Sequence, residues 1–537
     1  MKSEQNGDSH PQDLCGKLVV QIQSSQMVAL WSLRTSVVSA VIVLALSGCG
    51  GGGSAAPPAT NPPPQPGGFQ PGVFQPSSNF KDLCANPRPG ALFPDSQGTT
   101  EDENSWLRSW SNELYLWYAE ISDQNPASFG TPEYFDLMKT FASTSSGADK
   151  DKFHFTIPTD EWIALSQAGE SAGYGSNFVI LAPAPPREVV VAYTEPSTPA
   201  SNLGLLRGAQ ILEADGVDVA TTSQVNVLNT ALFPSAGETH DFVVQDVGSA
   251  TTRAITMTSQ IIPIDPVNVV RVEATPTGPV GYLSFTDHIA TAEQALIDAV
   301  ETLQAAAITD LVLDLRYNLG GFLDIANELA YMIAGPAAAG GEVFDEIEFS
   351  NKHPTFNPVT GDVLTPDLFH TTTQGFSAPP GNPLPALNLN RLYVLTGPNT
   401  CSASEAIMNG LRGINLEVNL IGEGTCGKPY GFYAFDNCGT TYFSIQFKGV
   451  NAKGFGDYTD GFTPNGVGEQ LPGCQVADDF EHALGDPLEA RFAAALQYRE
   501  DASCIVTTTS AISSLSINKG SGEGAIARRQ RPGAVKQ

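Results

Sequence analysis

The stretch DLRYNLGG, residues 314–321, decides the fold class of this 537-residue chain. An apolar run at 311–315 predicts a buried strand at its start, and apolar residues at helical spacing over 322–333 predict a helix directly after it. A strand that passes through paired glycines into a helix is typical of an α/β domain, in which functional loops lie at strand ends. Paired glycines at such a point let backbone N–H groups approach an anion closely.

The same alternation of strands and helices extends on both sides of this stretch. Strands are predicted at 280–285, 311–315, 391–396 and 418–421, and helices at 292–303, 322–333 and 404–411. Neither a GxxxxGK nor a GxGxxG pattern occurs in residues 314–321, so the glycine pair is not expected to bind a nucleotide phosphate. The pattern therefore predicts an α/β core over residues 262–504, a mixed β-sheet with helices.

A second motif, TCSASE at residues 400–405, follows the predicted strand at 391–396 and begins the next helix. It presents the Ser402 hydroxyl where the N–H groups of the helix favour negative charge. A capping role for one of these serines is the simpler alternative, since serine is a common residue at helix N-caps.

Together the two motifs resemble those of the C-terminal-processing, or tail-specific, serine peptidases. The resemblance covers about residues 106–497 and follows that family's order of a helical segment, a PDZ domain and an α/β core. It implies that Ser402 is the nucleophile that forms an acyl-enzyme. It also implies that Lys428, in the segment GEGTCGK at 422–428, is the general base. Ser404 is then the serine that caps the helix.

The resemblance also implies an oxyanion hole, whose donors are the N–H of Ala403 and one N–H from Gly320 or Gly321. A lysine acts as a base only when it is neutral, so burial must lower its pKa. Many family members carry a Gln four residues after the lysine, where this chain has Phe432. His288 is the rival base.

Residues 173–261 change character and consist of short β-rich runs separated by turns. The run at 187–219, with the hairpin signal Asp215-Gly216, resembles a PDZ domain. Such a domain adds a chain end as a strand to its sheet edge and holds the terminal carboxylate with backbone N–H groups of a glycine-containing loop. A β-rich spacer that binds nothing is the alternative. The substrate-binding residues that the resemblance implies are Gly175, Ser176, Asn177 and Phe178.

Residues 1–49 predict an export signal. The apolar segment at 35–46 is too short to span a bilayer comfortably, and LSGC at 46–49 resembles a bacterial lipobox with Cys49 as the lipidated residue. An uncleaved anchor helix or an ordinary signal is the alternative. Residues 50–79 are uncharged and rich in Pro and Gly, which is typical of a tether. The resemblance implies a location in the bacterial cell envelope, with a lipid anchor in the outer membrane and the domains facing the periplasm.

Length and composition narrow the remaining possibilities. The length predicts two or three domains, and 41% hydrophobic residues are enough for real cores. A net charge of −30 argues against binding to nucleic acid or to an anionic membrane surface. Apolar and aromatic residues recur at helical spacing from Trp106 to Phe141, which predicts a buried aromatic stripe and a small helical domain over 80–172. The basic segment 505–537 lacks core periodicity and predicts a disordered tail.

Six cysteines remain once Cys15 and Cys49 are set aside, and an even set in an exported protein predicts disulfides. The first guess is a local bridge between Cys426 and Cys438, while Cys401 can stay a buried thiol. The other pairings stay open. No Cys/His or His/carboxylate spacing predicts a metal site, and no cofactor is expected.

These observations give one leading interpretation and two alternatives. The leading one is a membrane-tethered serine endopeptidase whose partners are protein or peptide C-termini, in particular the C-terminal regions of exported proteins. The second is a catalytically silent PDZ-type tail-binding protein on the same fold, because the lysine lacks its orienting Gln. The third is a hydrolase of small esters or amides, since a fold does not fix a substrate.

We predict that the mature protein begins at an acylated Cys49. The basis is the lipobox-like LSGC and the charge-free segment that follows it. The intact mass of the protein isolated from membranes checks this. A product that retains residues before Cys49, or one without acyl chains, contradicts the prediction.

Overall fold

The computed structural model describes residues 68–465 and 468–504. The predicted export signal at 1–49 with Cys49, the tether up to residue 67 and the tail at 505–537 lie outside the described residues. Among the helices of the described part, none combines the length and the apolar character that a membrane span needs.

A six-stranded central sheet organises the α/β core. Its strands in spatial order are Val269–Thr275, Gly278–Ser284, Asp310–Asp314, Arg391–Thr396, Glu417–Gly422 and Gly473–Gln475. The first pair is antiparallel and all other neighbours are parallel, so the sheet is mixed. The four strands predicted from apolar runs are confirmed within two residues at each end. Parallel strands buried on both faces show such continuous apolar runs.

Helices cover both faces of the central sheet. Ala292–Ala305, Leu323–Ala334 and Ala403–Gly413 contribute to the larger hydrophobic cluster on one face. Ala490–Asp501 contributes Phe492 to a separate cluster on the other face. The three helices predicted from 3.6-residue periodicity are confirmed.

Three adjacent parallel strands end at the same edge of the central sheet. Asp310–Asp314 runs into the loop with the glycine pair, and Arg391–Thr396 runs into the loop with Ser402. Glu417–Gly422, the next strand, runs into the loop with Lys428. In parallel α/β sheets this edge is where functional loops converge.

A second sheet, which is antiparallel, precedes the core in sequence. Its strands in spatial order are Thr252–Thr258, Thr239–Gln245, Gln210–Ala214, Glu188–Thr194 and Ser176–Ala182. It encloses its own hydrophobic cluster together with the helix Val225–Leu232. Asp215 and Gly216 have φ values of 48° and 75°, so the predicted hairpin turn is present. The strands that precede and follow this sheet in sequence, Glu170–Gly173 and Gln260–Pro263, pair with each other.

The segment before the second sheet is tied to the α/β core. Its longest helix, Thr100–Leu114, is capped by Thr99, whose Oγ1 accepts a hydrogen bond from the Asp102 N–H. Trp106, Trp110 and Phe135 pack around Tyr442 of the core. The strand Phe155–Pro158 of this segment pairs with Thr440–Phe443 of the core, so the segment and the core share a small sheet.

Two expectations for this segment are wrong. Phe141 is not part of the buried aromatic stripe, because the helix Thr131–Leu137 ends before it and leaves its side chain 70% exposed. The described end of the tether, 68–79, is not free chain either. The Arg108 guanidinium donates hydrogen bonds to the carbonyls of Gln70 and Val73 and holds this stretch on the helix.

The remaining regular elements are short. The other α-helices of the described residues are Thr159–Ile163, Pro199–Asn202 and Pro336–Ala339. The other strands are Leu83–Cys84, Ser96–Gln97, Val217–Asp218, Val343–Phe349, Asp367–Leu368, Tyr430–Gly431, Phe435–Asn437, Phe447–Val450, Phe462–Thr463 and Glu469–Gln470.

A buried ionic network joins the two sheets. Arg316, whose side chain is 1% exposed, pairs with Asp314, Asp478 and Glu489 at 2.9, 2.7 and 2.7 Å. Arg207, from the second sheet's loop, pairs with the same Asp478 at 2.7 Å. Removing one cation from such a network leaves buried carboxylates without a partner.

We predict that Arg316→Ala lowers the free energy of unfolding by about 3–5 kcal/mol, the loss typical of an uncompensated buried charge. Arg271→Ala is the control, because its ion pair with Glu273 is solvent-exposed and should contribute less than about 1 kcal/mol. Chemical denaturation of both variants checks this. Equal losses would contradict it.

Candidate active site

The backbone of Ser402 has a conformation that residues other than glycine rarely adopt. Its φ is 61° and its ψ is −113°. A backbone of this kind persists only where its neighbours hold it, and such residues cluster at functional sites. Here the Cys401 N–H donates to the Asn318 carbonyl at 3.1 Å, and the Ser404 hydroxyl donates to the same carbonyl at 3.1 Å. The two sequence motifs therefore touch directly.

The side chain of Lys428 is buried between aromatic rings. Its Nζ lies 4.1 Å from the centroid of the Phe432 ring and 4.9 Å from that of Phe153. Among the described residues, no carboxylate oxygen lies within 4.0 Å of the Lys428 Nζ, so the amine forms no ion pair there. Burial lowers the pKa of Lys428 to about 7, although the charges of Asp151 and Glu405 act in the opposite direction.

Ser402 and Lys428 line the same small cavity, together with Leu323 and Tyr458. On its other side Lys428 faces a larger cleft of about 540 Å³, which Cys401, Tyr317 and Leu319 also line. Ser402 itself is 1% exposed. The structure thus brings the two predicted catalytic residues to one place, with the lysine between the cleft and the serine's cavity.

The carboxylate of Glu405 connects the loop of Ser402 to the loop of Lys428. One oxygen accepts the N–H of Ser402 and the N–H of Lys428, each at 2.8 Å. The other accepts the Thr425 hydroxyl at 2.5 Å and the Gly427 N–H at 2.9 Å. Burial raises the pKa of Glu405, and the hydrogen bonds it accepts oppose that shift. The expectation that Ser404 caps the helix is wrong, because Ser402 stands at the N-cap of Ala403–Gly413 and Glu405 three residues after it completes a capping box.

The glycine pair lies against the serine loop. A side chain on Gly320 would place its Cβ 2.8 Å from the Cys401 carbonyl oxygen and 3.0 Å from the Ala403 nitrogen, so only glycine fits. The Gly320 N–H already donates to Asn318 Oδ1 at 2.9 Å. Within the described residues the Gly321 N–H has no such acceptor. Of the two glycines, Gly321 is therefore the better candidate to pair with Ala403 as an oxyanion donor.

His288 is fully buried beside this pair. Its Nδ1 lies 2.9 Å from Asn318 Oδ1, while the Asn318 amide donates to the Phe285 carbonyl, so Nδ1 carries the proton. Burial lowers the pKa of His288 to about 3. The imidazole is therefore a much weaker base than the Lys428 amine. The backbone of His288 also forms a β-bridge with Gly321, so His288 helps to hold the loop that carries the glycine pair.

The residues predicted to bind substrate line the large cleft. Gly175 precedes the strand Ser176–Ala182, which is an edge strand of the second sheet. A Cβ on Gly175 would lie 2.3 Å from the Thr198 side chain, so this turn requires glycine. Apolar side chains complete the wall on this side. They are Tyr174, Phe178, Val179, Ile180, Leu232 and Phe233.

Gln446 binds backbone rather than the Lys428 amine. Its side chain accepts the Tyr433 N–H at 3.1 Å and donates to the Tyr433 carbonyl at 3.3 Å. It thus fixes the backbone next to Phe432 and leaves the contact with the amine to the Phe432 ring.

The predicted Cys426–Cys438 bridge is wrong. The disulfides join Cys84 to Cys438, Cys401 to Cys426, and Cys474 to Cys504. Cys438 lies in the turn of a hairpin that faces the amino-terminal segment, whereas Cys426 lies in the loop beside Ser402. Cys401 is consequently not a free thiol. In the described residues Cys401, Glu405 and Cys426 are close enough to hold a metal ion, but the disulfide engages both sulfurs.

The chain is similar in sequence to known peptidases. Residues 279–432, which include Ser402 and Lys428, match the sequence model of Peptidase family S41. The chain is 25% identical over 257 residues to carboxyl-terminal-processing peptidase 2, chloroplastic, of Arabidopsis thaliana, with 44% of this chain and 48% of that protein covered. It is 27% identical over 269 residues to the carboxyl-terminal-processing protease of Synechocystis sp. (strain ATCC 27184 / PCC 6803 / Kazusa), with 50% and 55% covered. The chain therefore spans about half the length of the curated relatives it matches.

A solved structure shows the same fold. The crystal structure assigned as an S41 protease from Bacteroides fragilis NCTC 9343 superposes with a TM-score of 0.52 at 23% identity, covering 78% of this chain and all of that one. The mixed sheet with helices is thus the fold of an S41 protease. Together the sequence matches support a serine peptidase.

We predict that the Lys428 amine titrates with a midpoint near pH 7, because burial among aromatic rings disfavours its charged form. The rate at which an acylating reagent modifies Lys428, followed by peptide mass spectrometry across pH, checks this. Free N-acetyl-lysine, with a pKa of about 10.4, is the reference. A midpoint equal to that of the reference would contradict the prediction.

Proposed function

We propose that this protein is a serine endopeptidase that captures the unstructured C-terminal regions of exported proteins and cleaves them through a Ser402/Lys428 dyad. The observation that carries the proposal is the convergence of three neighbouring strand ends. They bring a serine in a strained backbone, a buried lysine with a pKa near 7 and a glycine pair into one site beside a cleft.

The chemistry follows from these positions. The neutral Lys428 amine takes the proton from the Ser402 hydroxyl, and the Ser402 Oγ attacks the scissile carbonyl carbon. The N–H groups of Ala403 and Gly321 stabilise the oxyanion. The intermediate collapses to an ester on Ser402, and the leaving amine receives the proton from Lys428. A water molecule, deprotonated by Lys428, then hydrolyses the ester.

The second sheet supplies the proposed tail-binding groove, and we propose that it acts as a PDZ domain. Its edge strand Ser176–Ala182 lines the cleft, so an extended peptide can add to the sheet there. The cleft volume of about 540 Å³ lies in the range of specific ligand sites. Its apolar wall, which includes Phe178 and Leu232, favours substrates with apolar side chains near the C-terminus. A lipid anchor at Cys49 would hold the enzyme at the outer membrane, facing the periplasm.

The alternative is a catalytically silent tail-binding protein. Phe432 in place of an orienting Gln favours it, because no hydrogen-bonding side chain aligns the amine within the described residues. The Phe432 and Phe153 rings argue for the peptidase instead, since they confine the amine and exclude water from it. A serine-reactive probe separates the two readings, because only the peptidase forms a covalent adduct at Ser402.

We predict that Ser402→Ala and Lys428→Arg each lower kcat by about 10⁴-fold or more, because they remove the nucleophile or leave a permanently charged base. His288→Gln is the matched control beside the same loop. It should lose less than the ~10²-fold that removal of a general base costs. Cleavage of an unstructured tail peptide by each folded variant checks this. Full activity in Lys428→Arg with loss in His288→Gln would assign the base to His288.

A further inference from the structure

The Cys401–Cys426 disulfide is a covalent link between the two proposed catalytic loops. Cys401 directly precedes Ser402, and Cys426 lies two residues before Lys428. Their Cα atoms are 5.2 Å apart. The other two disulfides lie elsewhere, at the amino-terminal segment and at the last helix. One of the three bridges therefore has its ends next to both the proposed nucleophile and the proposed base.

The backbone of Ser402 needs such a constraint. A non-glycine residue at φ 61° and ψ −113° costs on the order of 1–3 kcal/mol and is kept only by surrounding contacts. On the carboxyl side, the helix and Glu405 hold Ser402 through its N–H. On the amino side, Cys401 is held by the disulfide, by its N–H, which donates to the Asn318 carbonyl, and by its carbonyl, which accepts the Ser404 N–H. The Cys426 N–H also donates to the Thr400 carbonyl at 3.0 Å, so one backbone hydrogen bond joins the two loops beside the bridge.

Breaking the bridge removes the covalent limit on how far the two loops can move apart. Bonded sulfurs sit about 2.05 Å apart, whereas non-bonded heavy atoms rest at about 3.5–4.0 Å. The two thiols therefore separate by more than about 1 Å, through rotation of the side chains, through a shift of the loops that carry them, or through both. A displacement of that size in a catalytic group can cost about 10²-fold in rate. Glu405 contacts backbone N–H groups on both loops and limits the motion, so the fold itself should survive.

Both sulfur-bearing residues line the large cleft, so a small reductant can reach the bond. With a dithiol reductant, the S–S bond breaks and each cysteine sulfur takes one electron and one proton. The dithiol is oxidised to its own disulfide in the same exchange. The step needs no other reactant.

We propose that the Cys401–Cys426 disulfide is a positioning cross-link that aligns Ser402 with Lys428, and that acylation of Ser402 is consequently redox-dependent. The inference rests on the proposed peptidase function. It differs from a purely structural role, in which the bridge would stabilise the fold by closing its loop and leave the chemistry of the folded protein unchanged.

The test uses the full chain in its oxidised form, after reduction with dithiothreitol, and after re-oxidation. Three quantities are measured for each form: the rate of Ser402 acylation by a fluorophosphonate, the affinity for an unstructured tail peptide, and the alkylation state of each cysteine by mass spectrometry. Reduction of Cys401 and Cys426 should slow acylation about 10²-fold and change peptide affinity less than twofold. Re-oxidation should restore the rate.

The chain offers a matched control in its third bridge. Cys474→Ser with Cys504→Ser removes a disulfide of similar sequence separation that is not next to either catalytic loop. This variant should acylate at the wild-type rate when oxidised and lose that rate on reduction. Cys401→Ala with Cys426→Ala should acylate slowly under both conditions.

Two results would overturn the inference. One is a folded Cys401→Ala, Cys426→Ala variant that acylates as fast as the oxidised wild type. The second result applies if this variant does not fold. It is an unchanged rate of Ser402 acylation in reduced wild-type protein in which mass spectrometry finds both Cys401 and Cys426 alkylated. A different result identifies failure of the proposed peptidase function: the oxidised wild type itself would not be acylated at Ser402. In that case the inference about the disulfide is also wrong.

Discussion

The geometry of the site depends on the buried carboxylate of Glu405, which accepts four hydrogen bonds from two loops. One loop carries Ser402 and the other carries Lys428, and each follows a different strand of the central sheet. A charged group without these donors would be costly to bury. The four donors repay that desolvation only when both loops are in place. The same contact therefore stabilises the fold at this edge and fixes the nucleophile relative to the base.

The environment of Lys428 explains how a lysine can serve here without an orienting amide. Rings on two sides remove water from the amine, and no carboxylate pairs with it among the described residues. At a pKa of about 7 a large share of the amines is neutral at neutral pH. Burial also lowers the pKa of His288, to about 3, so its imidazole is a weak base. Desolvation thus produces a useful base from lysine and a structural residue from histidine.

Most of the core was predictable from the sequence because buried parallel strands leave continuous apolar runs. The positions of Ser402, Lys428 and the glycine pair at strand ends followed from the same pattern. What the sequence could not supply were contacts between loops of different strands. The role of Glu405 and the Cys401–Cys426 bridge both depend on which strands are neighbours in the sheet. Cys438 was paired with Cys426 only because it is nearer to Cys426 along the chain than Cys401 is, and in the structure it bonds Cys84 instead. Phe141 was misjudged because a periodic pattern does not show where a helix ends.

The most direct test of this account is the pH dependence of Ser402 acylation in the oxidised wild-type chain. If neutral Lys428 is the base, the rate is low in acid and rises as the amine loses its proton, with a half-maximal rate near pH 7. Below that midpoint the rate should fall about tenfold for each pH unit. A rate that is constant from pH 5 to pH 9 would contradict the assignment of Lys428 as the base.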